Sequence, residues 1–260
     1  MHVRWITAYF DLPAASFGEE VTFWRAISGS TVSPPRGEHL EFATLEPFHG
    51  DPYLRVQRVN DGPGGMHLDL HVDSPEDAAL EAQTLGATLL RRAPEGFVTL
   101  QSPAGGVFCL VPWAGESERA RPIRWPDGGI SIVDQLRFEV PHEVFEAEVT
   151  FWAKLTARTL DDLGGADELA INHSPRLSLQ VVIGRSDSDT TRALPSIAAT
   201  DVAHELSRHK DWGAVATHGS EGNDDIHVGF GEDEVPDTVE MTDPAGRPYS
   251  ITARNPRTGV

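Results

Sequence analysis

The sequence has one cysteine, Cys109, in 260 residues, so no disulfide can form within the chain and a disulfide-stapled scaffold is excluded. Positive charge is scarce: 21 Lys and Arg stand against 40 Asp and Glu, a formal net charge of −19. Such a surface repels the phosphates of nucleic acids and anionic lipids, so neither is an expected partner. No stretch approaches the roughly 20 apolar residues of a membrane span. The first residues lack an apolar signal segment with a small-residue cleavage site, so a cytoplasmic protein is expected. GxGxxG, Walker, HExxH, CxxC and GxSxG patterns are all missing, which removes the commoner dinucleotide, nucleotide and hydrolase readings.

What is present is enough apolar residue for a core, 39% of the chain, in one large domain or two modest ones. The segment 114–130, AGESERARPIRWPDGGI, is rich in Pro, Gly and charge and reads as a linker between 1–113 and 131–260. The two parts resemble each other. Asp11-Leu12-Pro13 returns as Glu139-Val140-Pro141, Phe23-Trp24 as Phe151-Trp152, and Gly86-Ala87 as Gly213-Ala214. Pro103-Ala104-Gly105 returns as Pro244-Ala245-Gly246, and residues 53–57 are echoed by 176–180. Five matches in the same order indicate an internal duplication.

Periodicity predicts the elements. Strands are expected over 5–10, 40–45, 53–59, 66–72, 88–91, 96–101 and 107–111, and helices over 16–26 and 74–85. Ser16 and Ser74 are the expected caps. The second half repeats this with strands near 136–140, 177–183, 196–199, 237–241 and 249–253. Its helices fall over 142–155 and 201–209, the latter with Thr200 as expected cap. In 66–72, MHLDLHV, apolar and polar residues alternate, so His67, Asp69 and His71 share one face. Trp24 and Trp152 are expected core anchors, and Cys109 an inert buried thiol. The acidic run 221–243 reads as a solvated loop.

Three segments carry a family likeness. Residues 53–72 read YLRVQRVNDGPGGMHLDLHV and lead into a helix with a Leu-Gly-Ala stop; 102–111 read SPAGGVFCLV; 243–251 read DPAGRPYSI. The chain thereby resembles the vicinal-oxygen-chelate superfamily, and most closely its glyoxalase-like domains. The resemblance implies an α+β fold of four βαβββ modules, paired into two glyoxalase-like domains with curved mixed sheets around a cleft. It also implies a divalent metal in the cleft of those members that are enzymes, acting as a Lewis acid on neighbouring substrate oxygens. The matching ligand positions are Thr7, His67 and Val107 in the first half, of which only His67 is a metal ligand by type. In the second half they are Gln135, a residue near Ala193, and Pro248. The usual metal site is therefore not expected, although a divalent metal is not excluded.

His67 remains the candidate catalytic residue, with Asp69 able to set its tautomer and raise its pKa. Gln57 and Gln180 are read as equivalent residues able to orient a carbonyl or carboxylate. Arg55 shares the face of Gln57 and is the expected anion hook. Tyr9, with Trp5, Phe48, Tyr53 and Phe108, is a candidate aromatic wall. Three functions follow: a cleft that binds a small, partly aromatic or oxyanionic molecule without the family metal; a lyase, isomerase or dioxygenase working through His67; or a structural or regulatory module. A monomer and a homodimer are both permitted.

Overall fold

The computed structural model describes residues 1–162, 168–171, 174, 176–217 and 236–259. Residues 221–235 of the acidic run, His227 among them, lie outside the described residues. In the first half the order is β1 (Trp5–Pro13), α1 (Phe17–Ile27), β2 (Thr31–Val32), β3 (Phe42–Glu46) and β4 (Leu54–Val59). A second set follows: β5 (Gly65–Val72), α2 (Pro75–Thr84), β6 (Thr88–Arg92), β7 (Val98–Gln101) and β8 (Val107–Pro112). These are two βαβββ modules. They join edge to edge through antiparallel β1 and β5 into one eight-stranded mixed sheet, β2-β3-β4-β1-β5-β8-β7-β6.

The second half repeats the plan. Its strands are β9 (Ile123–Arg124), β10 (Ile130–Pro141), β11 (Leu160–Asp162), β12 (Glu168–Ile171), β13 (Gln180–Ser186), β14 (Arg192–Ala199), β15 (Val215–Thr217), β16 (Thr238–Thr242) and β17 (Pro248–Ala253). Its helices are α3 (Phe145–Thr156) and α4 (Val202–Asp211). The order β11-β12-β13-β10-β14-β17-β16-β15 matches the first sheet position for position, and β9 adds to β10.

Local chemistry sets the element ends. The Ser74 hydroxyl accepts from Asp77 N–H at the start of α2, and Gly86, at φ +112°, supplies the backbone that ends it. Two expected caps differ. Ser16 donates to the Glu20 carboxylate rather than capping α1, and α4 is capped by Asp201 rather than Thr200. The short strands β2, β11, β12 and β15 are too brief to show periodicity. β13 begins three residues later than the expected 177.

That delay corrects one sequence expectation. Asp11 pairs with Gln57 in the first sheet, and its counterpart Glu139 pairs with Gly184 in the second. Gln57 is therefore equivalent to Gly184. Gln180 pairs with Gln135, the counterpart of Thr7, and bonds it side chain to side chain at 2.9 Å. The counterpart of His67 is likewise Leu194, the partner of Arg137, one residue beyond Ala193.

The halves share one apolar cluster, running from Trp5 through Trp24, Phe108 and Trp152 to Tyr249. Each half holds the closing turn of the other. From α1, Trp24 Nε1 donates to Asp243 at 3.2 Å, and Asp243 accepts from Ala245 and Arg247 N–H. From α3, Trp152 Nε1 donates to Glu148, whose second oxygen accepts from Ala104 N–H at 2.8 Å. Both tryptophans are buried, as expected of core anchors.

Candidate functional site

Strand alternation decides which side chains face the hollow of the first sheet. Tyr9 and Asp11 of β1, Arg55 and Gln57 of β4, His67 and Asp69 of β5, and Val107 and Cys109 of β8 point into it, whereas alternate residues such as Phe10, Leu68 and Phe108 point into the apolar core. The hollow is a cavity of about 580 Å³. Tyr9, Arg55, Gln57, His67, Asp69 and Val107 border it, joined by Asp11, Arg36, Phe42, Arg91, Phe97, Thr99 and Cys109.

His67 borders it. Its ring stacks on Tyr9 with centroids 4.8 Å apart and planes 6° apart. Its Nδ1 lies 2.6 Å from Asp11 Oδ2, and its Nε2 lies 3.7 Å from Asp69 Oδ1. The close partner is thus Asp11, not the expected Asp69. Burial pulls the imidazole pKa down, but the Asp11 hydrogen bond and the charges of Asp11 and Asp69 outweigh it and leave it raised. Burial pushes the Asp69 carboxyl up to about 6, against the opposing charges of His67 and Arg55. It pushes the Cys109 thiol up to about 12, which makes Cys109 a poor nucleophile.

Arg55 lies beside its register partner Tyr9 on β1. Its Nη1 donates to the Tyr9 hydroxyl at 3.2 Å, and its buried Nε has no partner. Burial raises the Tyr9 pKa. Arg91 lies over the Phe97 ring. Three guanidiniums, Arg36, Arg55 and Arg91, therefore gather at one cavity of a strongly acidic chain, beside the apolar faces of Phe42, Phe97 and Val107.

The other expected residues lie elsewhere. Thr7 and His71 share the concave face but form their own buried pair, Thr7 Oγ1 to His71 Nε2 at 2.9 Å. Glu116 stands 3.2 Å from His71 Nδ1. Trp5, Tyr53 and Phe108 are core residues, and Phe48 is 80% exposed, so Tyr9 alone of that set borders the cavity. Gln135 and Gln180 belong to the second sheet. There the corresponding corner is filled: Arg137, counterpart of Tyr9, pairs with Glu168 and Glu139, and a Cβ on Gly184 would lie 3.1 Å from its guanidinium.

Asp11, which in the sequence stands only as the start of an Asp-Leu-Pro turn, is the missing site residue. It alternates with Thr7 and Tyr9 on β1, and that period of two would have placed it beside His67. Phe42, Arg91 and Phe97 fall in or beside expected strands, but the pairing that brings them and Arg36 to this cavity joins segments far apart in sequence.

The metal set implied by the family does not fit. The Thr7 hydroxyl is committed to His71, and Val107 offers only methyl groups; His67 alone remains. Asp11, His67 and Val107 also border a second cavity of about 430 Å³ between the halves.

Residues 7–111 match the family model of the glyoxalase-like domain. No curated protein matches the chain in sequence. Among solved structures, a xylose isomerase-like TIM barrel/4-hydroxyphenylpyruvate dioxygenase fusion protein matches 98% of this chain at 11% identity and a TM-score of 0.60; the chain spans 48% of that protein's length. The 2,3-dioxygenase LapB from Pseudomonas sp. KL28 matches at 12% identity and a TM-score of 0.60, over 96% of this chain and 91% of LapB. The Mn(II)-bound glyoxalase from Novosphingobium aromaticivorans matches at 14% identity and 0.58, over 97% and 81%. At these identities the likeness is one of fold: paired βαβββ modules that build two mixed sheets. Among the described residues no helix is long and apolar enough to cross a membrane.

Proposed function

We propose that this chain, whose first half is a glyoxalase-like domain of the vicinal-oxygen-chelate superfamily, binds a small aromatic or otherwise planar anion in the hollow of its first sheet, without the family's metal triad. One observation carries the reading: Arg55, with an unpartnered buried Nε, faces a cavity walled by Phe42, Phe97 and Val107. A planar carboxylate satisfies the guanidinium while its ring occupies the apolar wall. Under this reading Gln57 and Tyr9, which border the same cavity, orient its oxygens. The second sheet, with its corner filled by Arg137, is not the binding half under this reading.

The test is calorimetric titration with benzoate and 3,4-dihydroxybenzoate in the presence of chelator. Saturable binding is expected, with Arg55→Met weakening it about 10- to 100-fold, the range for loss of one charge-assisted hydrogen-bonding group. Equal affinity for neutral benzyl alcohol, or an Arg55→Met variant that binds as well as the parent, would sink the reading.

A second reading is favoured by the 2.6 Å contact between His67 and Asp11. A carboxylate that holds Nδ1–H leaves Nε2 as the proton acceptor toward the cavity. His67 would then remove a proton from the bound anion. Exchange of a ligand C–H with deuterated solvent, followed by NMR, should occur with the parent and stop in His67→Ala. Its absence in both leaves a binder without this chemistry.

A further inference from the structure

Asp69 and Cys109 are direct register partners on parallel β5 and β8, and His67 stands one pleat away on the same face. One donor atom from each of His67, Asp69 and Cys109 lies within 4.8 Å of the others. We propose that His67 Nε2, Asp69 Oδ1 and Cys109 Sγ form a binding site for one divalent ion of the zinc type, a set that shares only His67 with Thr7, His67 and Val107.

Four observations converge on it. First, the donor set suits a borderline-soft ion, with nitrogen, oxygen and sulfur as three protein ligands and the cavity side left open. Donors around a tetrahedral ion sit about 3.3–3.7 Å apart, so closure needs only small side-chain rotations. Second, Asp11 already holds Nδ1 of His67 at 2.6 Å, which fixes the ring and turns Nε2 toward Asp69. A carboxylate behind a histidine ligand is the usual outer support of such sites. Third, the two carboxylates nearest the donors, Asp11 and Asp69, place negative charge where a divalent ion would sit. Fourth, the second sheet supplies an internal comparison. There His67, Asp69 and Cys109 are replaced by Leu194, Ser196 and Ser250, and the two serines satisfy each other at 2.8 Å. That corner offers only two hydroxyls, whereas in the first sheet Cys109, hydrogen-bonded to Asp69 and 3.4 Å from Thr99 Oγ1, brings a sulfur donor to the cavity wall.

Cys109 is the sole cysteine, so any thiolate-to-metal signal belongs to it. The test is titration of the chelator-stripped full chain with CoCl2, followed by its optical spectrum, and with ZnCl2, followed by calorimetry in buffers of different ionisation heat. The expected result is one ion per chain, a near-ultraviolet thiolate-to-cobalt band, tetrahedral visible bands, and proton release on binding. Cys109→Ser should lose the near-ultraviolet band while keeping its circular dichroism. Asp11→Asn, which removes no ligand, should weaken binding about 10- to 100-fold. A folded parent that binds cobalt without the thiolate band, or binds neither ion, would overturn the proposal. So would zinc affinity unchanged in both Cys109→Ser and Asp69→Asn. The anion titrations are run in chelator and the metal titrations without anion, so either proposal can fail alone.

Discussion

Trp152→Ala is expected to destabilise both halves together, by about 3–5 kcal/mol, in a single unfolding transition. The indole is fully buried, with ring centroids 5.2 Å from Phe108, 5.5 Å from Phe138 and 5.4 Å from Phe151. Phe108 belongs to the first sheet and Phe138 to the second, so one cavity would loosen both. The polar loss adds to it. Glu148 has no exposed surface, and without Trp152 Nε1 one of its oxygens loses its 2.7 Å donor. Its other oxygen holds the first half's closing turn through Ala104 N–H. Because a domain's whole stability is about 5–15 kcal/mol, the loss should be plain in urea unfolding followed by circular dichroism. Trp24→Ala should behave alike, since its indole holds Asp243 at the turn of the other half. Two separated transitions, with the first half melting as in the parent, would refute the shared core.

The same packing explains what could be read from the sequence. Trp24 and Trp152 were recognisable because large aromatics recur at matched helix positions, and a duplication preserves core before anything else. The face carrying His67, Asp69 and His71 was legible because strand alternation is strict. Where His71 ends up was not, because its partners are Thr7, 64 residues away, and Glu116 in the segment after β8. The mistaken equivalence of Gln57 and Gln180 has a physical cause. The strings LRVQ and LSLQ are similar, but register is set by hydrogen bonding to β1 and β10, which pairs Gln180 with Gln135. The filled corner of the second sheet was likewise invisible, since it depends on Arg137 meeting Glu168 across strands.

Two buried groups on β5 should make opposite contributions to acid stability, each revealed by its own variant. Burial lowers the His71 pKa to about 4, despite the nearby Glu116 carboxylate. Between the unfolded value near 6.5 and about 4, the unfolded chain binds a proton that the folded chain refuses, so this group removes stability as pH falls through that window. A shift of that size corresponds to about 3 kcal/mol. Asp69 has the reverse sign. Its folded pKa is raised by burial to about 6, above the usual carboxylate range, so the folded chain keeps a proton that the unfolded chain has lost. It adds stability as pH falls from about 6 toward the unfolded value near 4, and withholds about 3 kcal/mol at neutral pH. Asp69→Asn is therefore expected to be more stable than the parent at about pH 7.5 by up to this amount, and to lose the advantage at about pH 4. His71→Asn should show a difference from the parent that moves by a similar amount in the opposite direction. Urea unfolding of the three proteins at both pH values measures it, and pH-independent differences would refute the assignment. A gain in Asp69→Asn would mean that the native chain carries, at the wall of its cavity, a carboxylate that its fold alone would do better without. Such a cost is common where a group serves binding or catalysis rather than packing.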